Sequence, residues 1–540
     1  MVKGGVPEAI NLAQSSEREN VLNLLQTIRD LPATDNDIMP LLRRYPSADG
    51  TYAKSQLLDA YQRLVEGGAL ERDKGLERRL RGRPVRTISG VAPVAVLTEP
   101  YPCPGTCIFC PDQCAAPKSY LDGEPGVLRA LQNDYDPYAQ THVRIQALEA
   151  IGHATDKVEL LILGGTWSAY PAEYREWFLR RCFDAMNELE SATLDAALVH
   201  NETATHRNVG LVIETRPDWI TPAEVLALRR QGVTKVQIGA QSFDDAILAL
   251  NRRGHTVADV RRAVRLLRLG GFKIVLHWMP NLYGATPVSD LADFARLWDD
   301  PGLRPDELKI YPTALLEGTD LYALWEQGQY APYSEETLVE LLVQCKARVQ
   351  PYCRINRLMR DIPAHYIVAG TTKSNLRQIV QTQMQQRALT CQCIRCREVR
   401  GKEIAAGSDV TIDDLSLDVL SYSTDATQEH FLQYLTPTGQ LAAFLRLSLP
   451  ASPRDELPIP EVHEAAMVRE LHVYGPAQAL GQRGSAAQHR GLGTRLLDAA
   501  AEIARKAGFR ELAVIAAAGT RPYYRARGFT AGALYTLRVL

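Results

Sequence analysis

VAPVAVLTEPYPCPGTCIFC, residues 91–110, is the stretch from which the fold reads outward. It opens on a short β-branched run, VAPVAVLT (91–98), and runs straight into Cys103, Cys107 and Cys110, spaced C-x3-C-x2-C. A strand that ends in a thiol-rich loop is how a parallel sheet presents its chemistry, at the carboxyl ends of its strands. Five more runs follow: VELLILGG (158–165), GLVIET (210–215), KVQIGA (235–240), KIVLHWM (273–279) and ELKIYP (307–312). Amphipathic segments such as PAEVLALRRQG (222–232) and VADVRRAVRLLRLGG (257–271) separate them. Six strand-then-helix repeats over 91–320 predict a parallel sheet with helices outside, either open or curled into a partial barrel.

On either side the pattern changes. Residues 1–90 are polar and helical, with apolar positions at helical spacing in Val21–Leu31 and Gln56–Val65. That region ends in a basic run, where Arg72, Lys74, Arg78, Arg79, Arg81, Arg83 and Arg86 stand against Asp73 and Glu77. Residues 321–410 read as a helical connector. From 411 to 540 a different unit is expected. FLQYLT (431–436), LAAFLRLSL (441–449) and AMVRELHVYG (466–475) read as an antiparallel meander, followed by the helix GLGTRLLDAAAEIARKAG (491–508), the strand ELAVIAAAG (511–519) and the short helix PYYRARG (522–528).

The composition fits this picture. The chain has 540 residues, 46% hydrophobic and 23% charged, which excludes collagen-like, wholly disordered and disulfide-miniprotein classes. Its 61 basic and 63 acidic residues balance to −2, so it is no uniformly basic nucleic-acid coat, though a local basic patch is allowed. The opening MVKGGVPEAINLAQSS lacks the apolar core of a signal peptide, and no apolar run approaches a membrane span. A reducing cytoplasm is expected, where thiols persist as ligands.

Seven of the ten cysteines fall in two clusters, which points to metal chemistry rather than a disulfide framework. Iron–sulfur clusters are held by cysteine thiolates, usually four on a four-iron cluster. The three thiolates of Cys103, Cys107 and Cys110 would leave one iron open to a substrate. Structural zinc, with Cys114 as fourth ligand, is the plainer alternative. The second cluster, Cys391, Cys393 and Cys396, suits structural zinc with His365 or Cys353 as the fourth ligand. His365 is preferred, and a free-thiol turn or a second iron–sulfur cluster are the alternatives. In the C-terminal unit, Gln488-His489-Arg490-Gly491-Leu492-Gly493-Thr494 opens a helix as Q-x-x-G-x-G. Amides at a helix start bind phosphate, and glycine lets the ligand approach.

These motifs resemble two superfamilies. The C-x3-C-x2-C loop is similar to that of radical S-adenosylmethionine (SAM) enzymes, whose fold is a partial (β/α)6 barrel. There the open iron of a [4Fe-4S] cluster chelates SAM, and reductive cleavage yields a 5′-deoxyadenosyl radical. Gly164, Gly165 and Thr166 resemble the glycine-rich turn that binds the methionine end. The second half resembles the GNAT acetyltransferases, α+β domains that seat the acetyl-CoA pyrophosphate on the Gly491–Thr494 loop and use a tyrosine near the thioester. Both halves together, over about residue 85 to the end, resemble the catalytic subunit of Elongator. That enzyme is a tRNA-modifying acetyltransferase that stands alone in bacteria and archaea. The matching blocks are DYDPYAQ (134–140), DKVELLILGGT (156–166), IETRPD (213–218), NRRGHT (251–256), RDIPA (360–364), RELHVYG (469–475), QHRGLGT (488–494) and GTRPYYRARGF (519–529).

The resemblance implies a tRNA-modifying chemistry. A radical made from SAM abstracts hydrogen from the acetyl methyl of acetyl-CoA, the carbon attacks C5 of wobble uridine 34, and thioester hydrolysis leaves a carboxymethyl group. It assigns Lys157 to acetyl-CoA inside the barrel. It assigns Glu470, Leu471, His472 and Val473 with Gly491, Leu492, Gly493 and Thr494 to acetyl-CoA binding, and Tyr524, beside Tyr523, to the acetyl end. Read alone, Lys157 is a solvated strand-end charge, Glu470 a surface carboxylate, and at least one of the two tyrosines a packing residue. The resemblance also implies tRNA as partner, no membrane and no obligatory accessory subunits, and it leaves a homodimer open. Arg78, Arg79, Arg81, Arg83 and Arg86 are expected to contact tRNA phosphates, against the simpler reading of a solvated linker. The arginines at 261, 262, 265 and 268 read equally as plain surface. Two competing functions are a protein lysine acetyltransferase with the barrel as scaffold, and a non-catalytic RNA-binding platform. The intact open-iron motif argues against the first, and the retained acetyl-CoA loop with Tyr524 argues against the second.

Overall fold

A computed structural model describes residues 10–32, 38–45, 51–81, 90–112, 115–399, 411, 413–451, 455–474 and 491–540. The first large sheet holds the six expected strands, β1 (Ala92–Leu97), β2 (Lys157–Leu163), β3 (Arg207–Thr215), β4 (Lys235–Gln241), β5 (Lys273–Trp278) and β6 (Glu307–Ile310), all parallel and paired in chain order. After the two-residue β7 (Leu315–Leu316), a seventh strand, β8 (Arg354–Arg357), adds in parallel beyond β6. It lies within the stretch expected to be helical connector. Helices Pro222–Arg230, Val257–Leu269 and Pro287–Asp299 pack outside, each entered through a threonine cap: Thr221, Thr256 and Thr286.

Period-two alternation decides what lies inside the barrel. On β2, Val158, Leu160 and Ile162 are buried against the helices, while Lys157, Glu159, Leu161 and Leu163 line an internal cavity. On β4 the lining residues are Lys235, Gln237, Gly239 and Gln241, and on β5 they are Lys273, Val275 and His277. Each buried aliphatic on the outer face is worth about 1.5–3 kcal/mol. The helices are thereby held on the sheet while the polar inner face stays available.

After β9 (Ile367–Ala369), which pairs antiparallel with β7, a second seven-stranded sheet forms the C-terminal unit. Its meander is β10 (Ser416–Ser423), β11 (Thr427–Leu435), β12 (Leu441–Pro450) and β13 (Ala466–Val473). The strand β14 (Glu511–Val514) joins β13 in parallel, with β15 (Thr530–Ala531) and β16 (Thr536–Val539) at the edge. The helix Leu492–Lys506 buries Leu492, Leu496, Leu497, Ala500 and Ala504 against this sheet. Four N-terminal helices, Ser15–Arg29, Met39–Arg44, Lys54–Glu66 and Lys74–Leu80, carry a core of their own around Val21, Leu24, Leu57, Tyr61 and Leu80. No described helix is long and apolar enough to cross a membrane.

The barrel and the second sheet share one core and meet across a buried ionic seam. Asp306, just before β6, accepts from Nη1 and Nη2 of Arg469 on β13 at 2.6 and 2.7 Å, and faces Arg446 of β12 at 3.4 Å. Glu429 pairs with Arg469 at 2.7 Å and lies 3.6 Å from Arg268. All five side chains are at most 2% exposed. Arg268 therefore belongs to the seam rather than the surface. Arg261, Arg262 and Arg265 pair with Asp300, Asp259 and Glu456. A Cβ on Gly519 would lie 2.8 and 2.9 Å from the backbone O and N of Asn208, so the turn before the last helix approaches β3 as closely as only glycine permits.

Candidate active site

One cavity of about 1810 Å³ runs through the barrel lumen into the second sheet. Its lining includes Cys103, Cys107 and Cys110, Lys157, Gly165 and Thr166, Glu470 to Val473, Gly491 to Thr494, and Tyr523 with Tyr524. The two sequence-predicted sites therefore open into one chamber from opposite ends. The cysteine loop follows the carboxyl end of β1. Lys157, Lys235, Lys273 and Glu307 are the first residues of their strands, at the amino ends, facing the second sheet. Seven residues of β2 at about 3.3 Å each separate the two ends by roughly 20 Å.

At the carboxyl end, the main chain and arginines hold the thiols. The Gly105 amide donates to Cys103 Sγ at 3.4 Å, and Arg253 Nη1 donates to Cys107 Sγ at 3.0 Å. Among the described residues these three thiols do not gather within one ion's reach, as the second trio does. Their ligand atoms are not all within 4.8 Å of one another, a spacing compatible with ligands on separate corners of a four-iron cluster. Cys114 lies outside the described residues. Gly164, with φ 138°, lies where a Cβ would come 1.9 Å from Thr98 Oγ1. The amides of Gly164 and Gly165 both donate to Glu214 Oε1 at 2.9 Å, and Tyr120 Oη donates to the same oxygen at 2.7 Å. Glu214 thus fixes the turn from the end of β3.

Deeper in the lumen, His277 Nε2 lies 3.1 Å from Gln237 Oε1. Burial, with Lys309, Arg360 and Arg253 nearby, holds His277 well below its usual pKa, so the ring is neutral. At the opposite end, burial lowers the Lys157 ammonium against the opposing pull of Asp156. Lys157 is thus half-buried in the cavity wall rather than a solvated strand end. Glu470 ion-pairs with Lys273 and, at 2.8 Å, with Arg446. It is a seam residue, not a surface carboxylate. Burial lowers His472 to about 4, and its Nε2 has no partner. The ladder of β13 with β14 covers only Ala466–Val468, so Arg469–Val473 line the cavity instead. Beside them Gly491, with φ 89°, opens the helix. Tyr524 is buried in the core, and Tyr523 stacks under Arg527 at 3.5 Å.

The second trio converges. The ligand atoms of Cys391, Cys393 and Cys396 lie within 4.8 Å of one another. Hydrogen bonds from Cys391 and Cys396 hold the Cys393 thiol well below its usual pKa, while the same contacts push the Cys391 thiol up. His365 is not there. It is exposed in the turn Ala364–Tyr366, its ring tilted against Tyr366 with centroids 4.3 Å apart, and Tyr366 Oη donates to Asp122. The expectation of His365 as fourth ligand is corrected, and Cys353 does not join the group either. Lys346 Nζ lies 3.7 Å from Cys396 Sγ. The helix Ile394–Arg397 sits between the halves, with Arg397 donating to Pro351 O at 2.8 Å and to Gln433 Oε1 at 2.9 Å.

The basic run also departs from expectation. Arg79 is buried, and its guanidinium donates to the carbonyls of Ile28, Arg29 (3.1 Å), Leu31 (2.6 Å) and Pro32 (2.9 Å). It satisfies the orphan carbonyls at the end of the first helix. This corrects its assignment to tRNA phosphates. Arg81 packs half-buried near Gly152. The Arg78 side chain and all of Arg83 and Arg86, like Gln488, His489 and Arg490, lie outside the described residues.

A thiol-loop barrel opening into a cavity shared with an acyl-CoA-type sheet defines a radical-SAM enzyme fused to an acetyltransferase-like domain. The Radical SAM superfamily matches residues 102–297 and the Radical_SAM C-terminal domain residues 305–386. The chain is 44% identical to the tRNA uridine(34) acetyltransferase of Dehalococcoides mccartyi, over 84% of this chain and 99% of that one. It is 34% identical to human Elongator complex protein 3 over 94% of each. The solved structure of Methanocaldococcus infernus Elp3 with an N-terminal deletion superposes with TM-score 0.74 at 38% identity, covering 84% of this chain and 100% of that one. The chain belongs to the family of Elongator complex protein 3 and the tRNA uridine(34) acetyltransferases.

Arg216, Arg253, Glu214, Gln237 and His277 carry no role in the sequence reading, yet all five line the cavity, the first three near the carboxyl ends of the strands and the last two deeper in the lumen. The usable signal was position: polar residues at or just after strand ends in a parallel barrel.

Proposed function

We propose that this chain places a carboxymethyl group on C5 of wobble uridine 34 of tRNA, drawing the two carbons from acetyl-CoA. It acts in the cytoplasm as a stand-alone subunit. The carrying observation is the single cavity joining the cysteine loop to Lys157, the β13 segment and the Gly491–Thr494 loop. Cys103, Cys107 and Cys110 would hold the [4Fe-4S] cluster. The fit rests on their spread and on the buried, unpartnered Nη1 of Arg216, aimed at their loop. With SAM, that cluster supplies one-electron reductive cleavage.

This chain's own residues do the rest. Glu214 holds the Gly164–Gly165 turn against the methionine end. Gly491 to Thr494 seat the pyrophosphate, and Glu470 to Val473 run alongside the pantetheine arm. Tyr524 lies beside the thioester, and Lys157, half-buried in the cavity wall, takes the acetyl carbonyl at the barrel floor. The target base is already single-stranded in an anticodon loop, so splaying it into the lumen costs little. Cys391, Cys393 and Cys396 hold zinc as a brace between the halves.

The test is mass analysis of uridine 34 after anaerobic incubation of tRNA with enzyme, SAM, acetyl-CoA and reductant. A carboxymethyl mass on that base, lost in Lys157→Ala and in Cys107→Ser, is the expected result. Acetyl-CoA turnover driven by a lysine peptide and indifferent to tRNA would instead support a protein acetyltransferase and sink this reading.

A further inference from the structure

Two arginines at the carboxyl end of the barrel are arranged around the cysteine loop in a way packing alone does not call for. Arg216 follows β3, and Arg253 lies beyond β4. Both are about 94% buried, at 6% relative exposure. Arg216 is pinned by Nε to Asp218 Oδ1 at 3.0 Å, and by Nη2 to Asp218 Oδ2 at 3.1 Å and Arg253 O at 2.8 Å. Among the described residues its remaining nitrogen, Nη1, has no hydrogen-bond partner. That nitrogen lies 2.3 Å from where a Cβ on Gly105 would sit, and the same point is 3.6 Å from Cys107 Sγ. Arg253 already donates from Nη1 to Cys107 Sγ at 3.0 Å, with Nη2 tied to Gly239 O.

A guanidinium that is buried, held by three hydrogen bonds through Nε and Nη2, and left with both N–H groups of Nη1 unused is costly unless an acceptor meets that nitrogen. The acceptor nearest that space is sulfur: the point 2.3 Å from Nη1 is 3.6 Å from Cys107 Sγ, within the loop that would carry a thiolate-bound cluster. Gly105 is then required by contact. Any side chain there would push the guanidinium off the loop.

We propose that Arg216 and Arg253 form a cationic clamp on the cysteine loop, donating N–H bonds to cluster and thiolate sulfur and thereby raising the cluster's reduction potential. This rests on the reading that the loop holds a four-iron cluster. Reduction adds a negative charge to a centre that already carries three thiolates. Positive charge and N–H···S bonds beside it favour the reduced form, and hydrogen bonds to sulfur and net charge are established determinants of such potentials. The clamp is a positioning and tuning device, since neither arginine need touch the substrate.

The experiment is an EPR-monitored redox titration of the full-length chain, anaerobically reconstituted with ferrous iron and sulfide, with and without SAM. Wild type is compared with Arg216→Gln, Arg216→Lys and Arg253→Lys at matched iron content. Without SAM, Arg216→Gln should lower the reduced-to-oxidised ratio about tenfold at fixed potential, which for a one-electron couple is a shift of about 59 mV to more negative values. Arg216→Lys and Arg253→Lys, which keep the charge but lose the planar fork, should shift in the same direction by less. If Arg216→Gln fails to load, the two lysine variants carry the test alone. Unmoved midpoints in the loaded variants overturn the proposal. A shift at Arg216 that appears only with SAM also overturns it, because the free N–H then serves the SAM carboxylate instead. A wild-type chain that takes up no iron overturns the reading of the loop, and the clamp with it.

Discussion

Asp306→Asn is the sharpest test of how the two halves are held together. Asp306 accepts two bonds from Arg469, faces Arg446 and Arg268, and also takes the Ile274 amide on Oδ2 at 2.9 Å. Burial pushes its carboxyl up, but Arg469, Arg446 and Arg268 outweigh this and hold it well below the usual carboxylate range. Asparagine keeps the shape and one acceptor but removes the charge. It leaves Arg268, Arg446 and Arg469 with only Glu429 and Glu470 between them. Removing one partner of a buried pair costs about 3–5 kcal/mol, and the retained acceptor favours the low end, about 3 kcal/mol. Against the roughly 5–15 kcal/mol that folded proteins possess, that is a large fraction. The sign with pH follows from the depressed carboxylates of Asp306 and Glu429. Their contribution is fully present above the unfolded range of about 4 and is lost as pH falls through the lower folded values. Urea denaturation of wild type and variant should therefore differ by a constant amount from about pH 5 to 8, with the gap closing below about pH 4. The double variant with Arg469→Gln should lose less than the sum of the singles. A loss under about 0.5 kcal/mol at neutral pH, or a gap that widens on acidification, would refute the seam as a structural element.

Three further outcomes are expected. Gly519→Ala places a methyl against the backbone of Asn208, where nothing can yield cheaply; it should cost about 1–3 kcal/mol and weaken acetyl-CoA binding, read by calorimetry. Cys396→Ser should abolish zinc in elemental analysis of purified protein, whereas His365→Ala should retain the wild-type zinc content. Arg79→Ala should loosen the N-terminal helices to proteolysis by removing the cap on the first helix. The salt dependence of tRNA binding should keep its slope, because that guanidinium is already spent on four carbonyls.

Much of this was legible in the residues, and the misses share a physical cause. Strands β1 to β6 are readable because each is a compact β-branched run bounded by turn formers, and the cysteine loop declares itself by spacing. The strand β8 was hidden because RINR (354–357) has a single strongly apolar residue, Ile355, and pairs on one side only. Likewise β10 was missed because its two faces are largely exposed, so no alternation marks it. Arg79 and Arg268 misled for a common reason. An arginine in a charge run has the same letter whether it meets water or a buried carbonyl, and only the tertiary fold supplies the carbonyl. His365 was chosen for its nearness along the chain to a family block, yet the connector folds back and carries it to the opposite, cysteine-loop end.

The position of the two sites on the barrel constrains the chemistry more than their identities do. The thiol loop sits at the carboxyl ends of the strands, while Lys157, Lys235, Lys273 and Glu307 ring the amino ends, where the acetyltransferase half docks. On the function proposed above, an acetyl group presented on a pantetheine arm would enter through the floor of the barrel, and the nucleobase through its roof. At about 1810 Å³ the chamber exceeds the 300–1,000 Å³ of a one-ligand pocket, as a room for two reactants must. Such a path works only if floor and roof keep a fixed separation, because a misplacement of 1 Å at the reacting atoms can cost about 10²-fold in rate. The buried ionic seam, the Gly519 contact and the cysteine trio between the halves all fix that separation. A hinge between the domains would open the lumen to water just where reactive carbon must be handed on. On that reading the rigidity of the joint is itself part of the active site: Arg469, Arg446 and Glu470, which build it together with the buried Asp306, reach from the joint to the cavity wall.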